Sequence, residues 1–236
     1  MGTINNIELL SKYTHDVGAI LHCDAVQAPC AIDTRNLAAH ADLISLSAHK
    51  FYGPKGIGAL FVSRDLREMI EPLVYGGGQQ HNLRAGTMPT PLCVGMGVAA
   101  RLLASDEAET ERAAIRLRRD KFIEELHQLS WSIHVNGPIN DRHVGNANIR
   151  FDGFSAHDIL GALQPNLAAS TGSACTTGNP EPSHVLRAIG LTGQEAESSV
   201  RFSLGRYTTD ADVQEAVTLI DQALSKLANS GLLASA

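Results

Sequence analysis

Hydrophobic positions follow two regimes along this chain: short solid apolar runs early, then alternating and helical stripes later. Ala19-Ile20-Leu21, Leu43-Ile44-Ser45-Leu46 and the run from Ile57 to Val62 have the length of buried strands, and each is bounded by polar or turn residues. Ile4 to Val17 reads as an amphipathic helix that covers the sheet through Ile4, Ile7, Leu10 and Tyr13, with Gly18 as its stop. Arg64 to Glu71 predicts a short helix halted at Pro72. Tyr75 to Pro89, YGGGQQHNLRAGTMP, is a glycine-rich loop, and Thr90 to Leu103 a small-residue apolar helix.

From Ser105 the pattern changes. Asp106, Glu107 and Glu109 open a charged helix that runs to about Leu129, with its acids at the end the helix dipole favours. A domain boundary is expected near residue 104, so that 1–104 and 105–236 form separate units. Trp131 to Val135 and Asn146 to Phe151 read as strands, Ala156 to Leu163 as a helix, and Pro182 to Ile189 as a helix with proline in its first turn. Ser199 to Leu204 alternates Val200, Phe202 and Leu204 with Arg201 and Ser203, the period of a half-buried strand. Thr209 and Asp212 make a capping-box start for a last helix striped by Val213, Val217, Ile220, Leu224 and Leu227. The fold class is α/β for the first part and α+β for the second.

Composition narrows the function classes. Of 236 residues, 44% are hydrophobic and 19% charged, so the chain can build an ordinary core. Its net charge of −6 comes without a basic stripe, which argues against nucleic acid and anionic membranes as partners. No apolar run approaches the ~20 residues of a membrane span. MGTINNIELL lacks the regions of a signal peptide. Cys23, Cys30, Cys93 and Cys175 follow no metal or disulfide spacing, and a reducing cytoplasm is the expected location.

Candidate chemistry lies where strand runs end. Asp24 and Gln27 follow the first run; Ser47, His49 and Lys50 follow the second. Strand ends in an open α/β sheet are where side chains converge on ligands. An acid on one strand end and a lysine on another suit pyridoxal phosphate (PLP), the lysine forming a Schiff base and the carboxylate pairing with the ring nitrogen. Taken alone, two such residues are usually a capping acid and a solvated cation. A second stretch, Ser170 to Pro182 (STGSACTTGNPEP), places Cys175 on a small-residue loop as an available thiol. Cys23, Cys30 and Cys93 read as inert buried thiols.

The segment Asp24-x-x-Gln27 with Ser47-Ala48-His49-Lys50-Phe51-Tyr52-Gly53-Pro54-Lys55-Gly56 resembles the PLP-binding segment of the cysteine desulfurases of the NifS/IscS type, PLP enzymes of fold type I within the class-V aminotransferases. Gly172-Ser-Ala-Cys175-Thr resembles that family's persulfide-forming loop, and Arg84-Ala85-Gly86-Thr87 a loop whose threonine reaches the partner subunit's cofactor phosphate. The resemblance implies Lys50 as the cofactor lysine, Asp24 at the ring nitrogen and Gln27 at the ring hydroxyl. It puts Ser47, His49 and Thr87 at the phosphate, with His49 also at the reacting centre. Arg201, in Val200-Arg-Phe-Ser-Leu-Gly, takes the substrate carboxylate. It further implies L-cysteine as substrate, with Cys175 attacking the substrate sulfur to leave alanine and a persulfide. That sulfur then passes to an acceptor such as an iron–sulfur scaffold protein. A homodimer is implied; no metal is required, although Cys175 could transiently ligate a nascent cluster. Another fold-type I enzyme, a selenocysteine lyase or an aminotransferase, is the alternative activity.

The resemblance covers only the C-terminal portion of family members, from the middle of the large domain onward. The phosphate-binding turn, the ring-stacking histidine and an asparagine expected just before Gly2-Thr3 have no counterpart here; Asn5 and Asn6 lie after that motif. Exposed sheet edges and uncovered apolar faces are therefore expected. The chain is then expected to be a fragment or mis-started copy of a full enzyme, one half of a split enzyme completed by an N-terminal partner chain, or a non-catalytic binding module.

Overall fold

The computed structural model describes residues 1–171 and 183–230. They form two compact units, Asn5–Thr110 and Met1–Ile4 with Glu111–Ala236. Among the described residues no helix is long and apolar enough to cross a membrane.

The first unit is built on a three-stranded sheet. β1 (His22–Asp24) runs parallel to β2 (Leu43–Ser47), and β3 (Gly58–Val62) returns antiparallel on the other side of β2. A parallel pair needs a crossover, which here passes through α2 (Ala28–Ala31) and a 3-10 turn at Leu37–Ala39. β1 starts at His22, after the apolar run Ala19–Leu21, because Leu21 is engaged at the strand's mouth, its amide donating to Asp42 Oδ2 at 2.8 Å. Ile44, Ala25 and Ala41 centre one small core. Cys30, Ala48, Phe51 and Ala99 centre another, which brings in α3 (Thr90–Leu103).

Four expectations for this unit need correction. α1 is Ile7–Asp16, shorter than Ile4–Val17, because Asn6 caps it by accepting the Leu9 amide. Its expected inward face is turned out, with Tyr13 61% exposed and Leu10 42%. The buried residue is Ser11, whose hydroxyl lies 3.3 Å from His15 Nδ1, while His15 Nε2 meets Asp42 Oδ2 at 2.9 Å. This polar chain, rather than an apolar stripe, ties α1 to the start of β2. β3 is an edge strand and not a buried one, with Leu60 52% exposed. Finally, Arg64–Glu71 yields only a 3-10 turn at Arg64–Leu66. Val94, Val98 and Leu102 make a further exposed apolar row on α3.

In the second unit β4 (Ile133–Val135), β5 (Asn146–Phe151) and β6 (Ser199–Ser203) form an antiparallel sheet. One face is apolar and packs Ile149, Phe151, Val200 and Phe202 against three helices: α4 (Glu107–His127), α5 (Ala156–Leu163) and α8 (Asp210–Asn229). The Phe202 ring meets Phe122 edge-on at 5.2 Å and Phe151 at 6.3 Å. The expected stripe on α8 is the buried one, with Val217 half-buried beside it, and Thr209 and Asp212 form the full capping box. α6 (His184–Ala188) falls inside the expected 182–189 helix. α7 (Gly193–Glu197) was not anticipated, although Thr192 and Glu195 carry the same capping-box pattern.

The other face of this sheet is polar yet largely covered. Asn136 Nδ2 donates to Asn148 Oδ1 at 2.7 Å and to Ser199 Oγ at 2.9 Å, so three buried polar groups satisfy one another. Met1–Ile4 lies along this unit, with the Ile4 amide on the Asp141 carbonyl and the Gly2 carbonyl accepting from His143 N.

His143 is held neutral. Burial, and then the Arg119 guanidinium, push its pKa below the ordinary value, and its Nδ1 accepts from the Gly145 amide. Because the unfolded chain takes up this proton before the folded one, the His143 contribution is complete above about pH 6.5 and falls as pH drops below it. Between pH 7 and 5, the urea midpoint should therefore decline more steeply for the native chain than for His143→Gln, which carries no titrating ring. Equal slopes would remove His143 as the source.

Candidate active site

Parallel pairing places the carboxyl ends of β1 and β2 at the same edge of the sheet. Asp24 closes β1 opposite Ser45, and Ser47 closes β2 two residues further on. The Val26 amide donates to Oδ1 of the exposed Asp24 at 3.1 Å, a local turn at the end of β1. Gln27 follows as the exposed N-cap of α2. His22, on the same face of β1 as Asp24, holds Ser45 Oγ through Nε2 at 2.8 Å; a histidine two residues ahead of an acid at a strand end was the signal that could have drawn attention to it.

After Ser47 the chain makes a 3-10 turn, Ala48–Lys50. Ala48 and Phe51 are the buried positions, 0% and 2% exposed, so His49 and Lys50 between them are driven outward. The Ala48 carbonyl accepts from the Phe51 amide at 3.0 Å and the Gly53 amide at 2.9 Å, and the Ala48 amide donates to the Ile57 carbonyl. Ser47 Oγ lies 3.0 Å from Nδ1 of the exposed His49. The Cys30 thiol donates to the Lys50 carbonyl at 3.3 Å. Cys30 is buried, as expected, in the core with Ala48 and Phe51. Cys23 and Cys93 are only half-buried, and burial followed by the nearby Asp24 charge raises the Cys23 pKa.

The loop that ends in Thr87 is tightly turned. Gln80, His81 and Asn82 all have positive φ, a conformation uncommon outside glycine. Gln79 Oε1 accepts the Gly86 amide at 3.2 Å, and the Arg84 guanidinium donates to the Gly86 carbonyl and to Met88 Sδ. Thr87 stands exposed at the end of this framework.

Arg201 belongs to the second unit. It sits on β6 opposite Asn148, and its backbone pairs with Ser170 in both directions. Arg201 Nε is buried without a hydrogen-bond partner among the described residues. A buried guanidinium donor without an acceptor is costly, and a carboxylate is the acceptor its planar fork fits best. Asp24, Gln27, Ser47, His49 and Lys50 are therefore gathered at one sheet edge and Thr87 closes a loop of the same unit. Arg201 lies on the other unit, and Cys175, with its loop, lies outside the described residues.

The aminotransferase class-V family model matches residues 1–216. The chain belongs to this family. It is 40% identical over 227 residues to the cysteine desulfurase IscS of Rickettsia rickettsii (strain Iowa), covering 96% of this chain and 55% of that protein. Among solved structures, a NIFS-like protein superposes with a TM-score of 0.85 at 28% identity, over 96% of this chain and 58% of that one. A structure described as SspA in complex with cysteine gives 0.67 at 34% identity, over 89% and 57%. The chain thus spans about half the length of the curated relatives it matches. The family uses PLP, and the residues at the sheet edge fit it: an outward lysine amine, a carboxylate on the adjacent strand, and a hydroxyl–imidazole pair beside the lysine.

Glycine is required at the base of this edge. A Cβ on Gly58 would lie 2.6 Å from the Leu46 carbonyl oxygen, directly across the β2–β3 pair that carries Ser47. Gly58→Ala should cost about 1–3 kcal/mol, read as a lower urea midpoint. Gly97→Ala, where nothing lies within 4 Å of the added methyl, should be neutral or stabilising. Equal midpoints for Gly58→Ala and the native chain would show that β2 and β3 part easily.

Proposed function

We propose that this chain carries the catalytic half of a PLP-dependent cysteine desulfurase. The observation that carries the reading is the convergence of Asp24, Ser47, His49 and Lys50 on the carboxyl edge of β1 and β2. Bound there, PLP supplies an electron sink for the bond-breaking at the substrate. Lys50 supplies the amine that holds it, Asp24 a negative charge for the ring nitrogen, Gln27 an amide for the ring hydroxyl, and Ser47 with His49 donors for the phosphate. Thr87, exposed at the end of its braced loop, serves the phosphate of a second copy in a homodimer.

L-cysteine is the substrate, and Arg201 takes its carboxylate. Cys175 attacks the substrate sulfur: the substrate Cβ–S bond breaks, an S–S bond forms on Cys175, and the carbon gains a proton to give alanine. The persulfide sulfur then goes to an acceptor protein, with iron–sulfur cluster assembly as the proposed destination. A thiol that works this way requires a reducing compartment, and the cytoplasm is the proposed one. The names of the relatives and the cysteine-bound SspA neighbour support this substrate.

Three measurements test the reading. Mixed with PLP, reduced with borohydride and mapped, the chain should carry the cofactor on Lys50, and Lys50→Ala should carry none at that peptide. Cys175→Ala should keep the cofactor but lose sulfide release and persulfide labelling; full turnover in that variant would favour an aminotransferase or lyase instead. In the active assembly Arg201→Lys, which keeps charge but not the planar fork, should raise the KM for cysteine by about 10-fold or more. An unchanged KM would assign the carboxylate to another group.

A further inference from the structure

The lysine turn has a support that no cofactor contact explains. Its amides are tied inward, with Phe51 and Gly53 both donating to Ala48 O. Its last carbonyl, that of Lys50, receives the Cys30 thiol at 3.3 Å. Cys30 sits on α2, the short helix that begins directly after Asp24 and Gln27. It is 9% exposed and lies in the core formed with Ala48, Phe51 and Ala99, the residues that anchor the turn from below.

We infer that Cys30 is a positioning residue for Lys50, its thiol donating to the Lys50 carbonyl and so setting the direction in which the lysine side chain leaves the turn. The carbonyl orientation restrains the Lys50–Phe51 peptide plane, and so narrows the ψ of Lys50 through which its Cα–Cβ bond is placed. Because α2 starts at the end of β1, the same contact links the strand end that presents Asp24 to the turn that presents Lys50. A thiol is a weak donor, and burial of Ala48 and Phe51 already turns Lys50 outward; the Cys30 contact acts on the last peptide of the turn, which those ties leave exposed on its outer side. The structural claim stands on the apo chain; its consequence for the cofactor rests on the reading of Lys50 given above.

A purely space-filling role and a donor role separate by substitution. Cys30→Val fills the cavity without a donor, and Cys30→Ser keeps a donor in a smaller side chain. On the chain without cofactor, hydrogen–deuterium exchange of peptides spanning 48–53 should rise by about threefold to tenfold in Cys30→Val and stay within about twofold of native in Cys30→Ser. The Raman S–H band of the native protein that disappears in Cys30→Ser should lie at a hydrogen-bonded, lowered frequency. Native-like exchange in Cys30→Val overturns the inference. So does a Cys30 S–H band at the free-thiol frequency, which decides the matter even if the valine variant does not fold. With PLP added, borohydride trapping on Lys50 should fall in Cys30→Val and recover in Cys30→Ser. Absence of trapping in the native chain would count against the proposed function and leave the exchange and Raman results to judge Cys30.

Discussion

Everything proposed for the first unit depends on the parallel pairing of two short strands, β1 and β2. Parallel strands end on the same side, so residues far apart along the chain, Asp24 and Ser47 to Lys50, come to one edge with no contact between them required. An antiparallel arrangement of the same strands would send Asp24 and Lys50 to opposite edges and dissolve the site. β3 secures this geometry from the other side: Ser47 pairs with Gly58, and the Leu46 carbonyl occupies the space that any side chain at Gly58 would need. Ala48 and Phe51 then bury into the core below, and the chain between them has nowhere to place His49 and Lys50 except outward.

The second unit solves a different problem. Its sheet buries one apolar face against α4, α5 and α8, where aromatic edges around Phe202 fill the space between layers. The opposite face keeps polar residues under partial cover, and Asn136, Asn148 and Ser199 find partners within the face. Arg201 Nε finds none among the described residues. Arg118 Nε and Arg142 Nη1 also lack a partner among the described residues, so what marks Arg201 for an anionic ligand is its place on the polar face of the sheet, opposite Asn148.

Much of this was legible in the residues. Strand and helix periods located α3, α4, α5, α8 and β5 to within a few residues, because long or strongly alternating patterns carry one interpretation. The polar cluster after each of the first two strand runs stood out as chemistry from residue type and position alone, since acids and lysines at strand ends have few uses in a core. The misreadings have separate causes. α1 has an apolar stripe by period, but its Leu10 and Tyr13 are exposed, in line with the uncovered apolar faces expected of a partial chain, and its link to Asp42 runs through Ser11 and His15, hydrogen bonds that have no period to read. α7 escaped because five residues are too few for periodicity to register, and only its capping box marked it.

Sequence by itself determined which residues could do chemistry and the family to which they belong, because motif spacing along a chain is set by covalent order. Tertiary structure alone decided which side of each element faces inward. It turned Leu10 and Tyr13 out, made β3 an edge, and buried Arg201 Nε away from any acceptor among the described residues. It also brought the Cys30 thiol under Lys50, a contact between residues on different elements. Burial and hydrogen-bond partnership are properties of neighbours in space, and a linear pattern constrains those neighbours only where one residue's period or cap already implies the next.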